Sequence, residues 1–328
     1  MKLRNLSTFL LAVLLLLSAL SAPALAAEEA VLPDPPSVSA SVKAGIVTLQ
    51  WKTVPGADCY QIWRKTGKEA ERILASVEGT SYTDRSVSAH QRYSYRLSSM
   101  SGEIAGEKSK AVTVEVLPLS GCVICVDPGH GNKKALATVK LAPKSSKKVC
   151  GGTVGTKSPY NGTTEAALNL KVSKRLKQSL EAEGATVVMT RTGSACKLNN
   201  IQRCQVAQKA GAELTIRIHA NGNDNRGVHG IKVLVPDRTY CGKDLVSRSG
   251  SAGKLMYKRL LKRTGAKAMG LVKRKDLVGF NWARNPTVLV EMGYMSNKKE
   301  DKKLQSASYQ KKLVQAMTEG AVDWFAAV

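Results

Sequence analysis

The sequence has few aromatic side chains, few cysteines and few histidines. Aromatic residues make up 5% of the 328 positions, with only three Phe, which argues against a surface that works mainly by stacking on nucleic-acid bases. Seven cysteines are too few, and odd in number, for a disulfide scaffold of this length. Hydrophobic residues still make up 43% of the chain, which excludes a wholly disordered protein and predicts a packed core of about two domains.

Long apolar runs are also absent after the N-terminus. Lys2 and Arg4 precede an apolar run at 9–17, and the small residues of Ala24-Leu25-Ala26 follow. This order is typical of a secretory signal peptide over residues 1–26, and the run is short for a membrane span. An uncleaved anchor is the alternative. We therefore predict that the mature protein is exported and is not an integral membrane protein.

Acidic residues are half as frequent as basic ones, with 25 Asp and Glu against 50 Lys and Arg, a formal charge of +25. Residues 27–119 contain eleven of each sign, so that 37 basic and 14 acidic residues remain for 120–328. This excess of basic residues forms either an ordinary solvated surface or a surface that attracts a polyanion. Outside a cell the bacterial wall is the obvious polyanion, and export argues against nucleic acid as a partner.

Two pairs of cysteines suggest themselves as sites. Cys122 and Cys125 have redox or zinc spacing, but they lie in an apolar run that reads as a strand. Residues three apart on a strand point to opposite faces, so we interpret both as core residues. Cys196 and Cys204 are the only pair that merits a test for a disulfide bridge.

Residues 32–117 are predicted to form an all-β domain. Apolar residues alternate with polar ones at 47–51, 60–62 and 93–97, between frequent turn signals, a pattern typical of a β-sandwich. The segment resembles a fibronectin type III module. The residues that carry this resemblance are Pro33-Asp34-Pro35-Pro36, Leu49-x-Trp51, Gly56-Ala57-Asp58-x-Tyr60-x-Ile62, Ser81-Tyr82-x-Asp84 and Tyr93-x-Tyr95-x-Leu97. His90 falls in a predicted loop, and we interpret it as solvated and without a partner.

Residues 121–327 alternate between strand and helix patterns, which predicts an α/β domain. Strands are predicted at 122–127, 186–190, 214–218, 231–235 and 287–290, and helices at 163–184, 199–210, 251–263 and 309–324. Residues 131–160 are rich in Lys, Ser, Gly and Pro. We interpret them as a long loop that lies beside the candidate functional site, described next, and faces its substrate.

Candidate site residues follow the predicted strands and begin a predicted helix. His130 and His219 each stand at the carboxyl end of a strand, and Glu165 begins a helix. Two imidazoles and one carboxylate, with a position left open, form a catalytic zinc pattern. Glu291 ends a further strand, where it could accept a proton from an attacking water. Taken singly, each residue is also compatible with an ordinary structural role, and spacing alone leaves both interpretations open.

Four motifs in order along the chain resemble the zinc-dependent N-acetylmuramoyl-L-alanine amidases of the type 3 family. They are Val126-Asp127-Pro128-Gly129-His130-Gly131; Glu165-x-x-x-Asn169-Leu170 with Thr190-Arg191-Thr192; Asn200-x-x-Arg203 with Ile218-His219-Ala220-Asn221; and Pro286 to Asn297 around Glu291. The resemblance implies a twisted, largely six-stranded sheet flanked by helices. It also implies that His130, Glu165 and His219 bind one Zn²⁺ and that Glu291 is the catalytic general base and acid.

The resemblance implies a peptidoglycan hydrolase that is secreted and associated with the cell wall, in an extracellular or periplasmic location. Zinc-activated water would cleave the amide bond between the lactyl group of N-acetylmuramic acid and L-alanine, and the basic catalytic domain would bind anionic wall polymers. Two alternatives are another zinc peptidase of the wall and a non-catalytic wall-binding protein. Asp127 is either a partner that orients a ligand or a turn residue before Pro128, and His229 is interpreted as structural.

Overall fold

The computed structural model describes residues 34–328, and the predicted signal peptide at 1–26 lies outside them. Eight strands form the N-terminal region. They are β1 (Ser39–Lys43), β2 (Ile46–Gln50), β3 (Cys59–Thr66), β4 (Arg72–Val77), β5 (Ser81–Asp84), β6 (Gln91–Ser101), β7 (Ile104–Lys108) and β8 (Val112–Val116). One sheet has the order β1-β2-β5, and the other has the order β4-β3-β6-β7 with β8 also paired to β6.

The two sheets of the N-terminal region share one apolar core. The alternating residues that the sequence pattern singled out are buried there, and Trp51 packs edge-on against Tyr60 with ring centroids 5.4 Å apart. Arg64 is also buried and donates to Asp84, which accepts a further hydrogen bond from the Tyr95 hydroxyl. The predicted all-β region is therefore confirmed. The boundaries at 117 and 121 stay predictions.

The C-terminal region is built on a six-stranded sheet with the order β12-β9-β13-β16-β14-β15. Its strands are β9 (Val123–Pro128), β12 (Thr186–Met189), β13 (Leu214–Asn221), β14 (Ile231–Pro236), β15 (Ala268–Arg274) and β16 (Thr287–Tyr294). Neighbours are parallel except β14 and β16, which are antiparallel. Two further short strands, β10 (Thr138–Lys140) and β11 (Lys148–Cys150), form a separate hairpin.

Six helices cover the two faces of this sheet. They are α1 (Glu165–Ala182), α2 (Asn200–Lys209), α3 (Lys243–Thr264), α4 (Val278–Asn281), α5 (Lys298–Gln305) and α6 (Ala307–Phe325). Helices α1, α3 and α6 pack on one face, and α2 and α4 lie on the other. Side chains of one strand alternate between these faces. Cys122 accordingly belongs to the large core under α1, and Cys125 packs against Ala207 of α2.

The predicted α/β class is confirmed, but strand β15 and helix α5 were not predicted, and α3 is longer than predicted. Residues 131–160 are not one continuous loop, because β10 and β11 form a hairpin within them. Strand β15 is only half-buried and has Gly270 in the left-handed region at φ 97°, so its apolar signal is weak. Helix α3 begins at Lys243, eight residues before the predicted start, because its first turns are polar and have no side-chain cap. Helix α5 is short and mostly charged.

The N-terminal sheets contact the α/β region through the segment between β8 and β9. Leu119 is fully buried in the large core, and the Ala44 N–H donates to Ser120 O at 2.9 Å. His90 is exposed, as predicted, but the prediction that it has no partner was wrong. Its Nε2 lies 3.2 Å from Glu183 Oε2, because tertiary packing brings the end of α1 to the loop before β6.

Candidate metal centre

The three predicted ligands lie together at one edge of the six-stranded sheet. His130 follows the end of β9, His219 lies near the end of the neighbouring strand β13, and Glu165 begins α1, which Thr164 caps. One ligand atom from each residue lies within 4.8 Å of the other two. Glu165 Oε1 is 3.1 Å from His130 Nε2 and 3.1 Å from His219 Nδ1. The parallel strands, which end at the same edge, account for this convergence.

Hydrogen bonds orient two of these side chains from the residues that precede α1. His130 Nδ1 lies 2.9 Å from Thr153 O, which can only accept a hydrogen bond, so Nδ1 carries a proton and Nε2 is the ring nitrogen that faces Glu165. The Thr156 N–H donates to Glu165 Oε2 at 3.0 Å. Residues 131–160 do lie beside the site, as predicted. They also supply these two contacts to the cluster, which no sequence pattern indicated.

The Glu165 carboxylate is buried and accepts hydrogen bonds from every side. Oε1 accepts from the Ala220 N–H at 3.1 Å and from Asn169 Nδ2 at 3.2 Å, in addition to its contacts with both imidazoles. Burial alone would raise the pKa of Glu165, but the hydrogen bonds from His130 and His219 hold that pKa well below its usual range. The carboxylate is therefore ionised.

Two glycines leave room for the imidazole rings. A Cβ at Gly129 would lie 2.4–2.7 Å from three ring atoms of His219, and a Cβ at Gly155 would lie 2.8 Å from the ring of His130. Real Cβ atoms essentially never approach so closely. Gly155 also has φ 88°, in the region that favours glycine. The rings are thus packed against backbone as well as held by hydrogen bonds.

Buried arginines hold the backbone that carries His130. His130 has φ 61°, an unusual conformation for a residue with a side chain. Arg203 donates to His130 O and Pro128 O at 2.5 and 2.8 Å, and Arg191 donates to Gly129 O at 2.8 Å. These charge-assisted bonds to successive carbonyls stabilise the turn in its strained form.

Asp127 supports this arrangement from below the site. It is buried and accepts from Arg203 at 2.7 Å, from Arg217 at 2.8 Å and from the Thr190 hydroxyl. Burial opposes its charge, but the two guanidinium groups hold the pKa of Asp127 far below its usual range. Asp127 is therefore neither a direct partner of a ligand side chain nor only a turn residue before Pro128. It accepts from Arg203, and Arg203 in turn donates to the backbone oxygen of His130.

Glu291 lies beside the cluster on β16. Its backbone pairs with that of His219 across parallel strands, so both side chains project from the same face of the sheet. Burial and the charge of Glu165 raise the pKa of Glu291 to about 8. Within residues 34–328, its Oε2 is one of the few buried polar atoms without a hydrogen-bond partner, and His219 Nε2 is another.

These orphaned atoms and the donor set fit a divalent cation. Two imidazoles and one carboxylate are ligands that transition metals such as zinc prefer, and buried polar atoms without partners cost free energy unless something satisfies them. His130 carries a raised pKa because Glu165 outweighs burial, and His219 carries a lowered pKa because burial dominates. The cluster therefore has the composition and the geometry to hold a metal ion.

The cluster forms part of the floor of an open cleft of about 980 Å³. Residues on both sides of the sheet edge line it, including Thr153 and Thr156 from the predicted loop and Arg274 from β15. Most of the residues that line it are polar or charged, so the cleft suits a polar ligand. In the part of the chain that the structure describes, all cysteines are free, so Cys196 and Cys204 form no bridge.

The family model of the Amidase_3 N-acetylmuramoyl-L-alanine amidases matches residues 124–323. The chain is 28% identical over 208 residues to the N-acetylmuramoyl-L-alanine amidase LytC of Bacillus subtilis. The aligned region covers 63% of this chain but only 36% of LytC. Ami1 of Mycobacterium abscessus has a similar structure, with TM-score 0.56, 25% identity and coverage of 63% of this chain and 99% of Ami1.

Ami1 of Mycobacterium smegmatis shares the same fold, with TM-score 0.58 and 23% identity over 64% of this chain and 99% of that protein. The matched region contains all three members of the cluster as well as Glu291. Its sheet is the six-stranded one that the resemblance implies. Because the family matches well over half of the sequence, this chain belongs to the Amidase_3 family of N-acetylmuramoyl-L-alanine amidases.

Proposed function

We propose that this protein hydrolyses peptidoglycan at the amide bond between the lactyl group of N-acetylmuramic acid and L-alanine. The observation that carries the proposal is the cluster of His130, Glu165 and His219 next to the unpartnered carboxylate of Glu291. We assign the first three residues to one Zn²⁺. Zinc bound there would polarise the scissile carbonyl and make a water molecule more acidic.

The residues of the chain have separate tasks in this reaction. Thr153 O keeps His130 in the tautomer that presents Nε2, and the contacts of Glu165 keep its carboxylate ionised and fixed. Glu291 accepts the proton of the attacking water and passes it to the leaving amine of alanine. A cation held at the cluster favours the ionised form of Glu291, which its surroundings otherwise disfavour.

Zinc stoichiometry together with peptidoglycan lysis tests the proposal. We expect one zinc per chain and lysis that a chelator abolishes. Glu291→Gln keeps the size of the side chain but cannot accept the proton, so it should retain zinc and lose activity by about 10²–10⁴-fold. His219→Ala should lower zinc content. Full activity of the first variant, or full zinc occupancy of the second, contradicts the assigned role.

Product analysis distinguishes the alternatives. The amidase releases stem peptides with a free α-amino group on alanine and leaves intact muramic acid. Another zinc peptidase of the wall would cut within the peptide, and a non-catalytic wall-binding protein would release nothing. The buried, unpartnered Glu291 Oε2 favours an enzyme, because such an atom is costly without a function.

We also propose that the N-terminal β region is a fibronectin type III-like module. Its division into one three-stranded and one larger sheet around Trp51 supports this assignment. An experimental structure with a different order of strands would contradict it. We propose further that the protein is exported after removal of residues 1–26, so that the mature chain acts in the wall. Mass spectrometry of the N-terminus of the exported protein tests this step.

The excess positive charge of residues 120–328 is proposed to bind anionic wall polymers. Such binding should weaken as salt rises, because mobile ions screen exposed charges. Among residues 34–328, no helix is long and apolar enough to span a bilayer. Sedimentation with purified walls at increasing salt tests the interaction, and retention that does not change with salt would contradict an electrostatic origin.

A further inference from the structure

A second cavity of about 820 Å³ lies next to the cleft that contains the metal cluster. The two cavities share Arg226 as a lining residue. We call the second cavity the basic groove. Five basic side chains line it, namely Arg226, Lys267, Lys298, Lys299 and Lys303. Glu300 is its one acidic lining residue.

The positive charge of the basic groove is not neutralised internally. All five basic side chains are exposed, and none is within 4.0 Å of a carboxylate in the part of the chain that the structure covers. Lys299 and Lys303 lie four residues apart on α5, where like charges repel. An anion in the groove would relieve this repulsion.

The two acidic residues of α5 do not neutralise its lysines, because both of their side chains point into the protein. Glu300 is buried, and its Oε2 accepts from the Gly230 and Tyr294 N–H groups at 2.9 and 2.8 Å. Asp301 is buried as well and accepts from Asn161 Nδ2. Helix α5 therefore has acidic side chains within reach of its lysines but keeps them for internal contacts.

Hydrogen bonds join three separate segments of the chain in the wall between the groove and the cleft. Asn297 Nδ2 donates to Arg226 O at 2.8 Å, and the Asn223 N–H donates to Ser296 Oγ at 3.0 Å. The Tyr160 hydroxyl donates to Ser296 O at 2.8 Å. The backbone on this side of the basic groove is thus braced.

We propose that the basic groove binds a phosphodiester-linked anionic polymer, and so holds the enzyme beside the cleft while peptidoglycan is cut. Four of the five cations are lysines, and lysine is a common partner of phosphate, which it meets as a point charge on a flexible stem. A chain of phosphates matches a row of such charges. The location rests on the proposed function, but binding of the polymer does not require catalysis.

The test compares two charge-matched double variants of the mature chain. Lys299→Gln with Lys303→Gln removes two groove charges, and Lys254→Gln with Lys258→Gln removes two exposed lysines at the same spacing on α3, outside both cavities. The probe is purified poly(glycerol phosphate), with polyglutamate as the carboxylate polymer. Dissociation constants are measured at several salt concentrations.

The groove variant should bind poly(glycerol phosphate) about tenfold more weakly at low salt, with a shallower salt dependence, while the α3 variant stays close to wild type. Equal weakening in both variants, or no binding by wild type, contradicts the proposal that the polymer binds at the basic groove. Equal affinity for polyglutamate overturns the preference for phosphate. Both variants should keep wild-type turnover of a small soluble muropeptide, so failure of the amidase reaction would be seen separately.

Discussion

Gly129→Ala tests whether packing against backbone holds the metal centre. The added Cβ would lie 2.4, 2.5 and 2.7 Å from the Cε1, Nε2 and Nδ1 atoms of His219. The backbone of Gly129 is not in the left-handed region, so alanine adds no strain of its own to the main chain. The imidazole must therefore move, although β13 holds its Cα in the centre of the sheet.

The substitution should lower both folding stability and metal affinity. Overpacking a buried site costs about 1–3 kcal/mol, which the protein can absorb. Displacing one of three ligands should weaken zinc binding by about 100-fold or more, since even changes to groups that only orient ligands cost about 10–100-fold.

Zinc affinity is measured by competition with a chromogenic chelator, and stability by thermal unfolding of the metal-free protein. Gly193→Ala is the matched control, because a Cβ there meets nothing within 4 Å. It should bind zinc as wild type does. If Gly129→Ala also binds zinc with unchanged affinity, then the position of His219 does not depend on this contact and the reasoning fails.

Two further predictions concern buried ion pairs. Arg203→Lys retains the charge, but its single nitrogen cannot occupy both the Nη1 position, which serves Asp127 and Pro128 O, and the Nη2 position, which serves His130 O. Zinc affinity should therefore fall by about 10–100-fold, and an unchanged affinity in the same competition assay would contradict this. In the N-terminal sheets, burial raises the pKa of Asp84, but hydrogen bonds from Ser86 and Arg64 outweigh it and the net pKa is lowered. Its stabilising effect should therefore be complete above about pH 4 and decline as pH falls further. Asp84→Asn should lower the free energy of unfolding by about 3 kcal/mol at pH 7. It should also reduce the loss of that free energy as pH falls below about 4, measured by denaturant unfolding at several pH values. A variant that loses stability with falling pH just as wild type does would contradict the assignment.

Local sequence patterns were sufficient where an element buries a regular apolar face. Strand β13 and helix α1 lie close to their predicted positions, because both carry continuous buried stripes. Strand β15 and helix α5 escaped prediction, since one is half-exposed and the other presents mainly charged residues to solvent. Their position in the fold comes from pairing with β14 and from the internal contacts of Glu300.

The sequence by itself determined the class of the fold, the family and the three residues that the structure brings together as a possible metal site, and it indicated Glu291 as their neighbour. Short motifs carry this information because each places such a residue at a strand end or a helix start. Only the tertiary structure decided how those side chains are held. Arg203, Thr153 and Gly129 act on the site through carbonyls and close packing, and such contacts between distant segments leave no periodic signal in the sequence. The basic groove likewise arises because α5, the loop between α3 and β15, and the loop after β13 meet in space.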